Sequence, residues 1–431
     1  QELRPVARVR PHHHLGIDLV EAGHDVHQPQ NLMVEAVTPG GVAVVGGEAR
    51  GQSEEVEAVD AEPVLAGRVC HGSGVVLREL RCAETEGPGA ALRVARLPLG
   101  PVEMVAVLVV VGAEQGVAAG VVADVHAVGA AVGDAMGMPL EFQPPRPAFN
   151  LLTEMIDGAI PAGSFTDDTE MALALAESLQ FVNPLDGHDL AGRFTAWYQC
   201  NPPDVGVNTS RVLRLITQGV SWEEAAQKVY ENNPDAASNG AVMRCWPLAI
   251  ARHENPSLLA AETRLQSEVT HKHPDAVNAA ILLNLILQKL TTRDDSIRPL
   301  AALREAVADC TRQVNLSEEF RLVVDLAPVR LREDLKNSGW ALHTMESALW
   351  ATQTTRSFEE ALVQAVNLGS DADTTGAVAG AIAGAMYGLS AIPARWQEKL
   401  HGEYPLRSGR IWLIGDFIDL ADRLAKTTGI N

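Results

Sequence analysis

The sequence predicts an all-α domain over about residues 127–426, behind an N-terminal extension of different character. Three observations carry this prediction. Composition breaks near residue 125: the first 125 residues contain no Lys, Phe, Tyr or Trp and one isoleucine, Ile17, while all 7 Trp, 8 Phe and 4 Tyr come later. Beyond the break, apolar residues recur at helical steps of three and four. Turn-forming clusters punctuate those helical runs.

The extension comes first. Valine fills 26 of its 125 positions, with Gly, Ala, Glu and Arg making up much of the remainder. A core without aromatics lacks its largest apolar groups. A Val-rich β segment, a disordered extension and translation of a GC-rich stretch without function are all compatible with such text. The expectation is an extension with no stable independent fold. MVAVLVVVG (104–112) is too short to span a bilayer and reads as a strand or an aggregation-prone segment. The chain as given starts on Gln1, and residues 1–30 carry three consecutive histidines and several acids. They lack the uninterrupted apolar core of a secretory leader, so a cytoplasmic location is expected.

The helical domain opens on Gly129, Gly133 and Gly137, spaced by four. A second ladder, Gly376, Gly380, Gly384 and Gly388, lies near the C-terminus. Each ladder occupies one helix stripe and predicts close approach of another backbone. Glycine in a helix costs about 1 kcal/mol relative to alanine, so a compensating contact is expected. AVAGAIAGAMYGL (377–389) resembles a membrane span, but it is marginal in length, rich in Gly and without a partner span. A buried central helix is expected, with no membrane association. Between the ladders, Met171, Leu175 and Leu179 mark one helix, and Ala280, Leu283, Leu287 and Leu290 another. NPLDG (183–187), NPPD (201–204), NNPD (232–235) and His273-Pro274 mark breaks. The total is roughly ten or more helices.

Chemistry concentrates at two helix starts. Thr166, Asp167, Asp168, Thr169 and Glu170 crowd three carboxylates and two hydroxyls before an apolar run. A capping box with Asp167 and Glu170 accounts for one or two of the acids. Adjacent carboxylates repel, so a metal is the alternative. Asp371, Asp373 and Thr374 repeat the grammar before a second apolar helix. Two Asp/Asp/Thr sets offer six hard oxygen donors, which suit Mg²⁺, Mn²⁺ or Ca²⁺ rather than zinc. They could hold two metals about 3.5–4 Å apart. An EF-hand starting at Asp371 fails, because Ile382 occupies the place of its closing Glu. No GxxxxGK[ST] phosphate loop occurs. Cys70, Cys82, Cys200, Cys245 and Cys310 form no CxxC pair, which suits a reducing compartment. Cys245 has no base near it in sequence, so it is not expected to be a nucleophile. His12, His13 and His14 carry no assigned role. The net charge of −21 argues against stable nucleic-acid binding.

In order along the chain, GAAVGDAMGMPLEF (129–142), FTDDTEMALAL (165–175), DVGVNT (204–209), SNGAVMR (238–244), THKHP (270–274), NSGWALHTMESALWA (337–351) and LGSDADTTGAVAGAIAGA (368–385) resemble the ADP-ribosylglycohydrolase family. The resemblance covers about residues 127–426 and nothing before 125. It implies a compact orthogonal multi-helix bundle with a two-metal cleft, holding two Mg²⁺ or Mn²⁺. By motif, Thr166, Asp167 and Asp168 match the first ligand set, and Asp371, Asp373 and Thr374 the second. Glu141 matches an acid beside the cleft, so Glu141, Asp167 and Asp168 are the candidates for orienting or deprotonating water. Gly206, Ser238, Asn239, Gly240 and Met243 fall on loops that surround ADP-ribose in the family, and His271 matches a histidine lining the cleft. Without that match, His271 and His273 would read as surface or helix-capping residues. Ser370 stands where the family often has Gly and would tighten its loop.

The implied activity is metal-dependent hydrolysis of the glycosidic bond between ADP-ribose and a modified protein side chain or small-molecule acceptor. The bond would break through an oxocarbenium-like state, with the diphosphate on backbone N–H groups of the SNG loop and a helix N-terminus. A catalytically silent ADP-ribose reader and a two-metal phosphohydrolase are the alternatives. A monomer is expected.

Overall fold

The computed structural model describes the backbone of residues 32–38, 41–47, 91–97, 104–110, 119–294 and 296–427, and side chains from residue 125 onward within those ranges. The chain divides into two units, Gln1–Gly116 and Val117–Asn431. Most of the extension lies outside the described residues, and with it the expectation of no independent fold. Its described backbone forms two antiparallel pairs. Strand β1 (Leu32–Thr38) pairs with β2 (Gly41–Gly47), and β3 (Ala91–Leu97) with β4 (Met104–Val110). The strand reading of the 104–112 run is met there.

The second unit is helical. It contains α1 (Ala119–Gly137), α2 (Asp167–Phe181), α3 (Gly187–Gln199), α4 (Val207–Thr217), α5 (Trp222–Asn232), α6 (Trp246–Ala251), α7 (Pro256–Glu268) and α8 (Pro274–Thr291). Then follow α9 (Pro299–Gln313), α10 (Glu318–Leu326), α11 (Ala341–Thr354), α12 (Phe358–Val366), α13 (Ala372–Tyr387), α14 (Ala394–Gln397) and α15 (Ile414–Ala425). The predicted breakers fall between helices: Pro184 before α3, Pro202 and Pro203 between α3 and α4, Asn233-Pro234 after α5, and Pro274 at the first position of α8. A short hairpin, β5 (Gly402–Glu403) with β6 (Ile411–Trp412), was not expected. Two-residue strands are too short to show alternation.

The two glycine ladders meet. Helices α1 and α13 run antiparallel, with Gly129 facing Gly380, Gly133 facing Gly376, and Gly137 facing Ala372. A Cβ on any of these glycines would fall on a main-chain carbonyl oxygen of the partner helix. The described side chains of α1, from Val125 to Gly137, are buried all around, as are those of α13 from Ala372 through Met386. Helices α15, α6 and α2 pack against α1, and α11, α12 and α8 against α13. Met171, Leu175 and Leu179 of α2, and Ala280, Leu283, Leu287 and Leu290 of α8, all join this core. Gly388 does not belong to the ladder contact. It ends α13 at φ 82°, with nothing within 4 Å of its missing Cβ, so it is there for a left-handed backbone. Among the described residues no helix is long and apolar enough to cross a membrane.

Candidate active site

The antiparallel ladder fixes which residues can meet. The C-terminal end of α1 lies beside the first turn of α13, so Glu141, reached through a 3-10 turn over Met138–Leu140, comes close to Asp373. Carboxylate oxygens of Glu141, Asp204 and Asp373 lie within 4.8 Å of one another. Asp204 sits in the exposed loop between α3 and α4.

Asp134, one turn before Gly137 on α1, ties the start of α2 to this helix. Its buried carboxylate accepts from the Thr166 N–H at 3.0 Å, Thr166 Oγ1 at 2.8 Å, the Thr169 N–H at 3.1 Å and Thr169 Oγ1 at 2.6 Å. Thr166 is the N-cap of α2, yet its side chain makes no capping bond, and neither does that of Asp371 at the start of α13. Elsewhere Asp186, Ser221, Asn255, Ser317 and Ser357 cap their helices in the ordinary way. The capping-box explanation of the TDDTE run is therefore corrected. Asp167 is already inside the helix, and Glu170 accepts from Trp197 Nε1 at 2.6 Å instead of reaching back. The other acids are left for another purpose.

Electrostatics says the same. Burial first, then the negative charges of Asp373, Asp134, Asp167 and Asp371, push Asp168 well above the usual carboxylate range. Burial and Asp371 do this to Asp373, and burial with Asp204 to Asp167. Burial, then Asp204, Asp371 and Asp134, push Glu141 up to about 8. Burial raises Asp371 too, against hydrogen bonds from Asn239 and Thr374 that pull it down. Asp168 Oδ1 and Asp373 Oδ1 are buried without a hydrogen-bond partner. Such an oxygen needs a proton or a cation. Hard oxygens, mutually repelling carboxylates and orphaned buried atoms fit a divalent cation of the Mg²⁺ or Mn²⁺ kind.

Amides and loops hold the residues around these acids. Asn239 Nδ2 donates to Asp371 Oδ2 at 2.5 Å and to Thr344 Oγ1 at 2.8 Å. Asn337 donates to the carbonyls of Gly369 and Asp371 and accepts from Thr375 Oγ1, fixing the approach to α13. Ser370 adopts φ 56° and Phe142 φ 58°, and the two segments exchange Phe142 N–H to Ser370 O at 2.6 Å and Ser370 N–H to Gln143 O at 2.7 Å. Left-handed backbone is uncommon for a bulky residue and marks strain beside Glu141. A glycine at position 370 would adopt the same backbone without that strain.

Of Ser238, Asn239, Gly240, Met243 and His271, the structure joins Asn239 to Asp371 and Gly240 to His271. Gly240 lies against the His271 ring: a Cβ there would sit 2.8 Å from Cε1. His271 is 3% exposed, and burial with Arg244 nearby holds its pKa down at about 3, so it is neutral. His273 does cap, accepting from the Asp275 N–H at 3.1 Å. Gly206 caps α4 without a side chain to occupy its first N–H groups. The Asn239 N–H is already donated to Gly339 O at 3.1 Å, so it is not open to a diphosphate as expected.

Sequence reasoning passed over Asp134, Asp204 and Asn337, each inside or at the edge of a quoted motif. Asp134 had a signal: a carboxylate one residue beyond Gly133 in an apolar stripe needs partners. Asp204 looked like turn punctuation after two prolines.

Residues 127–430 match the family model for ADP-ribosylglycohydrolase. The ADP-ribosylarginine hydrolase Tri1 of Pseudomonas putida (strain GB-1) is 32% identical over 277 residues, 62% of this chain and 70% of that protein. The ADP-ribosyl-[dinitrogen reductase] glycohydrolase of Rhodospirillum rubrum is 35% identical over 240 residues, 55% of this chain and 74% of that protein. A solved structure described as an ADP-ribosylglycohydrolase-related protein complex superposes with a TM-score of 0.59 at 33% identity, covering 72% of this chain and 99% of the other. The extension before residue 127 lies outside the family match, while the helical unit and the ordered motifs lie within it, and the chain belongs to the ADP-ribosylglycohydrolase family.

Proposed function

We propose that this chain hydrolyses the bond between ADP-ribose and a modified protein arginine, with Mg²⁺ or Mn²⁺ bound. The observation that carries the reading is the pair of orphaned buried oxygens, Asp168 Oδ1 and Asp373 Oδ1, one from each Asp/Thr set, with the Asp373 carboxylate close to that of Glu141. Thr166, Asp167, Asp168, Asp371, Asp373 and Thr374 would hold the metal. Bound there, it supplies attachment for ribose hydroxyls and acidifies a water.

The chain's own groups do the remainder. Asp134 holds Thr166 and Thr169 so that the first set stays in place as the cleft fills. Asn239 and Asn337 do the same for Asp371. Glu141, half-buried and readily protonated among its neighbours, would pass a proton between water and the leaving group. The first turn of α4 offers N–H groups for an anion. Exposed Asp204 beside Glu141 makes the mouth acidic, which attracts a guanidinium-bearing acceptor. The arginine acceptor is also supported by the named activity of the Pseudomonas putida relative.

The test is turnover. The full chain is incubated with ADP-ribosylarginine protein and ADP-ribosylserine protein, each with Mg²⁺ or Mn²⁺ and with a chelator. Free ADP-ribose from the arginine substrate, lost with chelator, supports the reading. Release of AMP or inorganic phosphate would point to phosphohydrolysis, and binding without turnover to a reader.

A further inference from the structure

Arg244 is wholly buried and has no carboxylate partner among the described residues. Its guanidinium lies over the Phe194 ring at 4.3 Å and donates to Gln266 Oε1 at 3.1 Å, Gln266 O at 3.0 Å and Thr270 Oγ1 at 2.8 Å. Thr270 Oγ1 lies 2.7 Å from His271 Nδ1. The Thr270 carbonyl accepts from Asn208 Nδ2 at 2.8 Å, tying this turn to the start of α4. Such an arrangement around one hydroxyl needs a reason, because a buried cation with no ion pair is expensive, and the charge of Asp167 offsets burial only in part.

Proton counting supplies one. Arginine only donates, so Thr270 Oγ1 accepts from Arg244. The hydroxyl has one proton of its own and a second lone pair, but its hydrogen-bond partners among the described residues are Arg244 and His271 Nδ1 alone, so an Nδ1–H donor would leave the hydroxyl hydrogen stranded in a buried turn. Nδ1 is then an acceptor, and in a neutral ring Nε2 carries the hydrogen. The ring is neutral, since burial and the Arg244 charge both oppose protonation. Gly240 leaves room for the Cε1–Nε2 edge: a Cβ would lie 2.8 Å from Cε1 and 3.1 Å from Nε2. The edge that carries the hydrogen therefore faces the SNG loop, one residue from the amide that holds Asp371.

We infer that Arg244 and Thr270 are positioning residues that lock His271 as the Nε2–H tautomer, so that it presents a fixed N–H donor to the ligand at the SNG loop. The contact of His271 with ligand rests on the proposed function, but the tautomer lock does not. Without the lock, an unrestrained imidazole would turn an acceptor toward an anionic ligand for part of the time.

The test uses Thr270→Val, which keeps shape and removes the hydroxyl, and Thr270→Ser, which restores it. The full chain, labelled with ¹⁵N-histidine, is examined by long-range proton–nitrogen NMR, with His271→Gln to assign the signal among the 13 histidines. The expected wild-type spectrum has hydrogen on Nε2 and a bare Nδ1. Thr270→Val should give averaged nitrogens, and Thr270→Ser the wild-type pattern. With the arginine-linked substrate, KM should rise about fivefold in Thr270→Val, the worth of one hydrogen bond, with kcat nearly unchanged. Thr270→Ser should recover it. A wild-type Nδ1–H or protonated ring, an unchanged tautomer in Thr270→Val, or equal KM effects in both variants would overturn the lock. Absence of any turnover by wild type with a normal NMR pattern would instead reject the proposed function.

Discussion

Gly380→Ala puts the ladder on trial. Gly380 lies mid-way along α13, and an added Cβ would fall on the Gly129 carbonyl oxygen, with the carbonyl carbon at 2.8 Å and Gly133 Cα at 3.3 Å. These atoms are main chain, so no rotamer change relieves them. The two helices must separate by about 1 Å to restore ordinary contact. In an unstrained helix the same substitution stabilises by about 1 kcal/mol. Overpacking typically costs about 1–3 kcal/mol, and a collision between backbones belongs at the upper end. The net loss is about 2 kcal/mol, or a fall in Tm of roughly 4 °C for a domain of this size. Gly192→Ala is the control, since Gly192 is exposed on α3 with nothing within 4 Å of the added atom. It should raise Tm by about 2 °C. The site reports as well, because separating α1 from α13 moves Glu141 away from Asp373, so Mn²⁺ affinity should fall in Gly380→Ala alone. Differential scanning calorimetry and titration calorimetry measure both. If Gly380→Ala melts like Gly192→Ala, the ladders are not in contact and the derivation of the site from them fails.

Asp373→Asn should raise Tm in chelator, by relieving repulsion at a buried carboxylate, and lower hydrolysis by roughly a hundredfold or more in saturating Mg²⁺ or Mn²⁺; unchanged turnover would remove it from the ligand set. His126 and His271 are buried with pKa values held down at about 3, by burial first and then by nearby cations. Below pH 6.5 the unfolded chain takes up protons that the folded chain refuses until about pH 3, so stability falls as pH drops through that window, by up to about 1.4 kcal/mol per pH unit for each histidine. Urea denaturation between pH 7 and 5 should show a shallower fall for His126→Gln, and identical slopes would refute the assignment. Removing residues 1–116 should leave turnover and Tm unchanged within about 2 °C, because α1 begins at Ala119 and every site residue lies beyond it; lost activity would show that the extension supports the catalytic unit.

Much of the candidate site was legible because its chemistry is local. Thr166, Asp167 and Asp168 are consecutive, as are Asp371 through Thr374 apart from Ala372, and repelling acids at two helix starts ask for a cation whatever surrounds them. The helical domain was legible for a similar reason: periods of three and four and proline breaks are properties of neighbouring residues. The two-residue strands β5 and β6 carry no such period and were missed.

The sequence by itself determined that α1 and α13 are helices with a bare stripe, that two oxygen-rich sets exist, and that residues 1–125 are made of different material. Tertiary structure decided who meets whom. Spacing shows that each ladder needs a partner backbone, but only the packed helices make them partners for each other, antiparallel, with Glu141 delivered to Asp373. Asp134 and Thr166 are separated by 32 residues, Asn239 and Asp371 by 132, and Arg244 and Thr270 by 26. No local pattern encodes such pairs, because the geometry that joins them is set by helix packing rather than by any residue's neighbours in the chain.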